Sequence, residues 1–207
     1  MKPIKVERKT TESHMTVILD FSPITADYRS RIKTPMPFLS HMIEHIVWRG
    51  GFLVSTDVRL DEFVLGHVIC EDLGICLGKA VGKYVSAMTD EGVAGYGAGL
   101  GIIDEAKAEC AVSFESRAYA DIDLGGLAIP DEVEGMKCED LVTFLEGFAQ
   151  GACCTLHLEL KKGQNAHHIW EAAFRAFGIA LGAALAQNPA RHGMTSGVAG
   201  AVKFTIE

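Results

Sequence analysis

Two pairs of residues in this chain, His67 with Glu71 and His167 with Glu171, each set an imidazole four residues before a carboxylate, and the pairs lie 100 residues apart. Side chains at i and i+4 share one face of an α-helix, so each pair can aim a nitrogen and an oxygen at the same point, as metal-holding helices do. His168 follows His167 and diverges from it by about 100° around a helix. It therefore faces a different centre, and two centres are implied. His41 and His45 form a third pair with ligand spacing. Imidazole and carboxylate without thiolate suit manganese, iron or zinc. One such pair alone is more often a weak helix-stabilising contact. The duplication and the extra histidine favour ligation. His14, His157 and His192 lack that support and are read as structural.

The elements that must carry these groups repeat as well. The same offset superimposes Ile69 on Ile169, Gly78 on Gly178, Ala80 on Ala180 and Gly82 on Gly182. In the first half Met15, Val17, Leu19 and Phe21 alternate as in a strand, and a further short strand is expected over Tyr28 to Lys33. Phe38, Leu39, Met42, Ile43 and Ile46 fall at helical spacing from Phe38 to about Arg49, and Gly50-Gly51 stops that helix. A strand from Phe52 to Arg59 leads to the helix of His67 and Glu71, ending near Val85. The second half follows suit. Strands are expected over Ala108 to Phe114 and Arg117 to Asp123, a helix over Glu139 to Gln150, a strictly alternating strand through Cys154 to Lys161, and a helix from His167 to about Ala186. The glycine-rich stretch from Gly92 to Gly101 lacks the setting of a dinucleotide fingerprint and is read as the joint between halves. The expected fold is α+β, a duplicated βα sandwich with a small, mostly antiparallel sheet and two covering helices in each half. The halves are set at 1–91 and 92–207, forming one compact unit.

Composition fits such a domain, with 48% hydrophobic and 22% charged residues in 207. A formal charge of −8 with no Lys/Arg block argues against nucleic acid or an anionic membrane as partner. No apolar run reaches spanning length and the N-terminus is polar, so no signal peptide or anchor is expected and the chain is placed in the cytoplasm. Six cysteines without CxxC spacing (Cys70, Cys76, Cys110, Cys138, Cys153, Cys154) read as small buried apolar residues in a reducing compartment.

Several segments resemble the imidazoleglycerol-phosphate dehydratase family of histidine biosynthesis. Thr10-Thr11-Glu12-Ser13 resembles the family's N-terminal Thr-x-Glu-Thr/Ser segment, Pro37 to Met42 its Phe-Leu-Asp-His-Met motif, Asp104-Glu105-Ala106 its Asp-Glu-Ala and Ser116 to Tyr119 its Gly-Arg-Pro-Tyr. Thr155-Leu156-His157 and Asn165 to Ala172 follow the family's second half closely. The resemblance implies a hydro-lyase acting on an imidazole phosphate, with two manganese ions per site at the subunit interfaces of a large homo-oligomer. Carried over by position, His41, His167 and Glu171 would serve one ion, and His67, Glu71 and His168 the other. Glu12 would shuttle the proton, and Arg117, Arg49 and Ser196 would meet the phosphate.

The sequence departs from the family at identifiable places. Val68 and Thr143 stand where ligand histidines are expected, and His45 is positioned to replace one of them. Ser40 and Gly66 replace aspartates that would orient histidines, which predicts looser ligands. Arg49 replaces a histidine, Gly95 an arginine, and Thr195-Ser196-Gly197 lacks the family's lysine. Two alternatives stay open: a diverged homologue that binds metal or assembles without dehydrating imidazoleglycerol phosphate, and a hydrolytic or isomerase activity at the same centre.

Overall fold

The computed structural model describes residues 1–203 and 205–206. Two hydrogen-bonded sheets and four long helices share a single buried cluster drawn from both halves. The first sheet is antiparallel, with strands β1 (Ile4–Lys9), β2 (Ser13–Asp20) and β3 (Leu53–Leu60) in that order. Along β2 every second residue is buried, as a sheet with one wet face requires.

Between β2 and β3 come α1 (Tyr28–Arg31) and α2 (Pro37–Gly50), and after β3 comes α3 (Gly66–Ala87). Pro37 opens α2 at a position that needs no amide donor, and Gly51 at φ 74° closes it in the left-handed region. The strand expected over Tyr28 to Lys33 is instead the single helical turn α1. Adjacent residues of a strand point to opposite faces, yet Tyr28 Oη and Arg29 Nε both donate to Glu44 Oε1 on α2, at 3.0 and 2.6 Å.

The second sheet has the order β4 (Tyr96–Ile103), β5 (Ala106–Ser113), β9 (Thr155–Lys162), β6 (Tyr119–Asp123), with only β6 and β9 parallel. A two-residue ribbon, β7 (Glu132–Val133) with β8 (Met136–Lys137), precedes α4 (Cys138–Ala152), and α5 (Ala166–Leu185) follows β9. β4 occupies the glycine-rich stretch assigned above to a joint. Gly97, Gly99 and Gly101 face α5, and a Cβ on them would lie 2.1, 2.2 and 1.9 Å from the carbonyls of Ala180, Ala176 and Ala172. Glycine at every second position lets the strand backbone lie against the helix backbone, and that periodicity is invisible to a pattern built on apolar side chains.

The helices cross between halves. α3 lies on the first sheet and packs along α4 of the second half, whereas α5 lies on the second sheet and packs along α2 of the first. The superimposed glycines mark these crossings. A Cβ on Gly78 would lie 2.2 Å from Phe148 O of α4, and one on Gly178 would lie 2.9 Å from Ile46 Cα of α2. Five of the cysteines are buried as expected. Cys153 is exposed, because it ends α4 at φ 53° with its side chain turned outward. Among the described residues no helix is long and apolar enough to cross a membrane.

Candidate metal centre

The crossing of α2 with α5 brings His41 and His45 over the first two turns of α5. His41, His167 and Glu171 each offer a donor atom within 4.8 Å of the others, so the three residues assigned to one ion do converge. Glu171 is 5% exposed and meets three rings: His41 Nε2 at 3.8 Å, His45 Nε2 at 3.3 Å and His167 Nε2 at 3.5 Å. His45 Nε2 also lies 3.3 Å from His41 Nε2, so its ring turns into the cluster. Burial lowers the His45 pKa to about 4, the pull of Glu171 notwithstanding, so at neutral pH this imidazole is uncharged.

Asn165 positions the start of α5. Its side-chain oxygen accepts from the amides of His167 and His168, at 2.9 and 3.4 Å, and so pins both histidines to the first turn. The second group with metal-ligand geometry is Asp104, Glu105 and His168. Glu105 accepts the amides of Asn165 and Gln164 and the Nδ1–H of His168, at 2.9, 3.2 and 2.9 Å. The Asn165 amide and His168 hold the Glu105 carboxyl down at about 2, and the same bond raises the pKa of His168.

His67 and Glu71, assigned with His168 to the other ion, form no such group among the described residues. The His67 side chain is 65% exposed, and its nearest carboxylate is Asp140 on α4, at 4.0 Å. Val68 offers no donor, and the Thr143 hydroxyl is turned back to Glu139 O of its own helix at 3.0 Å. Glu12 sits exposed in the turn between β1 and β2.

Where Ser40 and Gly66 supply no carboxylate, others stand near the histidines. Glu44, one turn after His41, lies 3.4 Å from His41 Nδ1. Asp140 reaches toward His67 through the space that Gly66 leaves, its Oδ2 only 2.6 Å from where a Cβ would stand. Glu134 lies 3.1 Å from His167 Nδ1. With Glu105 on His168, three of the four histidines, His41, His167 and His168, hydrogen-bond Nδ1 to a carboxylate and keep Nε2 for another partner, the arrangement that orients metal-ligating imidazoles, while His67 Nδ1 stands 4.0 Å from Asp140, beyond hydrogen-bond reach. Desolvation raises the Asp140 pKa.

The phosphate candidates separate into two places. Arg49 lines a cavity of about 310 Å³ with Arg29, His45, Trp48 and Arg175, directly beside the cluster. Ser196 lines a different cavity of about 420 Å³ with Lys79, Lys83 and Ser116, the neighbour of Arg117, and its hydroxyl donates to Phe114 O at 2.6 Å. Gly95 is fixed by that segment. A Cβ there would lie 2.6 Å from Ser196 Cβ, and Arg191 donates to the carbonyls of Ala94 and Ser196 at 2.5 and 3.1 Å.

Arg175 is one of the site residues that sequence reasoning missed. Its guanidinium grips Glu171 and donates to Ile102 O of β4 at 2.8 Å. The signal was present, since Arg175 stands four residues after Glu171 on the same helical face.

A family profile described as imidazoleglycerol-phosphate dehydratase matches residues 34–181. The imidazoleglycerol-phosphate dehydratase of Bacillus velezensis is 34% identical over 194 residues, spanning 93% of this chain and 96% of that one. The enzyme of that name from Cyberlindnera jadinii is 32% identical over 82% of this chain and 73% of its own length. Among solved structures, IGPD from Pyrococcus furiosus, crystallised in complex with a ligand, superimposes with a TM-score of 0.74 at 30% identity, covering 88% of this chain and 94% of that chain.

Proposed function

Because the chain belongs to the imidazoleglycerol-phosphate dehydratase family of hydro-lyases, we propose that it dehydrates imidazoleglycerol phosphate in a metal-dependent reaction, as a large homo-oligomer. The observation that carries this reading is the convergence of His41, His167 and Glu171 from opposite halves on one point. The donor set fits a hard or borderline divalent ion: two imidazoles with Nδ1 tied to carboxylates and one buried carboxylate, with no thiolate. His45 would add a neutral imidazole in place of the donor absent at position 143. Manganese is the ion expected from the family.

His67, Glu71 and His168 would hold a second ion. Among the described residues Glu71 and His168 belong to no common donor group, so a second copy would complete this centre. The separation of Ser196 and Arg117 from the cavity of Arg49 supports the same arrangement. The bound metal supplies Lewis acidity toward the substrate's imidazole nitrogens. Glu12 takes the proton from the carbon next to the one bearing the departing hydroxyl, which leaves as water, and the resulting enol tautomerises to a ketone. Arg49, Arg117 and Ser196 hold the phosphate through charge-assisted hydrogen bonds, with Arg29 and Arg175 adding positive charge to the wall beside Arg49.

Purified protein loaded with manganese should release the ketone from imidazoleglycerol phosphate, and Glu12→Gln should lower release by about 10²–10⁴-fold, to a small but measurable residue, while leaving the metal bound. Wild-type protein that binds manganese without turnover would leave the alternative, a metal-binding homologue that no longer dehydrates this substrate. The missing donors at Val68 and Thr143 favour that alternative.

A further inference from the structure

Asp72 on α3 is 2% exposed, and it is the next residue after Glu71. Its Oδ2 accepts the hydroxyl of Ser13 at 2.5 Å and pairs with Arg8 Nη1 at 2.5 Å. Ser13 is itself 3% exposed and opens β2, while Arg8 lies near the end of β1. One buried carboxylate thus fastens both arms of the β1–β2 hairpin to α3, and the turn between the arms carries Glu12.

Much of the backbone of that turn is hydrogen-bonded. Thr10 Oγ1 accepts the amides of Glu12 and Ser13 at 3.1 and 3.0 Å. The Thr10 amide donates to Ser13 O at 2.9 Å, and the Asp61 amide donates to Glu12 O at 3.1 Å. The Glu12 side chain stands exposed beside these bonds. A buried charge held by a hydroxyl and a guanidinium is costly to leave unpaired, so the clamp resists opening.

We propose that Ser13 and Asp72 are positioning residues that lock the Glu12 turn to α3 and so keep the proton-transferring carboxylate in fixed register with the His67/Glu71 turn of the same helix. This rests on the role given to Glu12 above. Geometry of this kind matters because a displacement of about 1 Å in a reacting group can cost two orders of magnitude in rate.

The test uses the assembled, manganese-loaded protein. Ser13→Ala should lower kcat about tenfold or more with KM and manganese content unchanged, and Ser13→Thr, which keeps the hydroxyl, should restore most of it. Adding Ser13→Ala to Glu12→Gln should cost less than about twofold further, since there is no carboxylate left to misplace. Amide hydrogen exchange supplies a readout independent of turnover: Ser13→Ala should speed exchange at residues 10–13 selectively, sparing the helix of Asp72. An equal loss in both backgrounds, or unchanged exchange in that turn, would overturn the proposal. Wild-type protein without dehydratase activity would instead sink the functional reading, and the exchange measurement would still decide whether the clamp exists.

Discussion

Glu171 on α5 meets three imidazoles and a guanidinium, whereas Glu71, at the matching place on α3, has no ion-pair partner among the described residues, and its companion His67 is 65% exposed. Both helices start from the same His-x-x-x-Glu device and both are crossed by a helix of the other half. The difference lies in what the crossing helix brings. α2 presents His41, His45 and Glu44 to α5, while α4 presents Asp140 and a self-bonded Thr143 to α3. A helical ligand pair is therefore only half a site, and the helix that crosses it decides whether the site closes inside the chain.

The comparison breaks most sharply under substitution of the two histidines. His167→Ala should lower manganese affinity at the assembled centre by more than about a hundredfold, beyond the range typical of outer partners. His67→Ala should leave that centre intact. Equilibrium titration followed by manganese electron paramagnetic resonance reads both, and equal losses would show that the two pairs are not distinct in the way the geometry indicates.

A middle-sized effect sharpens the role of the borrowed carboxylates. Glu44→Gln and Glu105→Gln should each weaken binding by about 10–100-fold, at the His41 and His168 centres respectively. The two losses should fall on different ions, resolved by competition with a chelator.

The smallest effect concerns His45 and pH. Its folded-state pKa of about 4 lies below the ordinary imidazole value. Between those two values the unfolded chain takes up a proton that the folded one refuses, so acid favours unfolding there. Metal-free protein should lose thermal stability as pH falls from 7 toward 4, and His45→Gln should flatten that slope while leaving the melting temperature at pH 7 nearly unchanged. A slope unaltered by the substitution would show that His45 is not held neutral by burial.

Much of this was legible in the residue pattern, and the parts that were not share a cause. α2, α3 and α5 follow from apolar spacing and from Pro37, Gly51 and Asn165 at their ends, and His41, His167 and Glu171 follow from i, i+4 logic and the family resemblance. Glu105 and Glu134 escaped because each reaches its histidine across a long interval of chain, from Glu105 to His168 and from Glu134 to His167. Local periodicity carries no information about such pairs. β4 escaped for another reason: its buried face is made of Gly97, Gly99 and Gly101, whose contact is backbone on backbone, so no side chain announces it. α1 was misread because shared hydrogen bonds to Glu44, rather than alternation, set its conformation.

The exchange of helices between halves has a further consequence for how the protein is made. On the ribosome, α2 emerges early and must wait for α5, its crossing partner, which is complete only at Leu185. Neither His41 nor the apolar flank of α2 can find its permanent neighbours until the chain has been made through Leu185, so the closing of the cluster belongs to a late, long-range stage of folding. A chain cut short before α5 would display Phe38, Met42 and Ile46 to any holdase within reach. The proposed metal capture would therefore wait on the synthesis of α5.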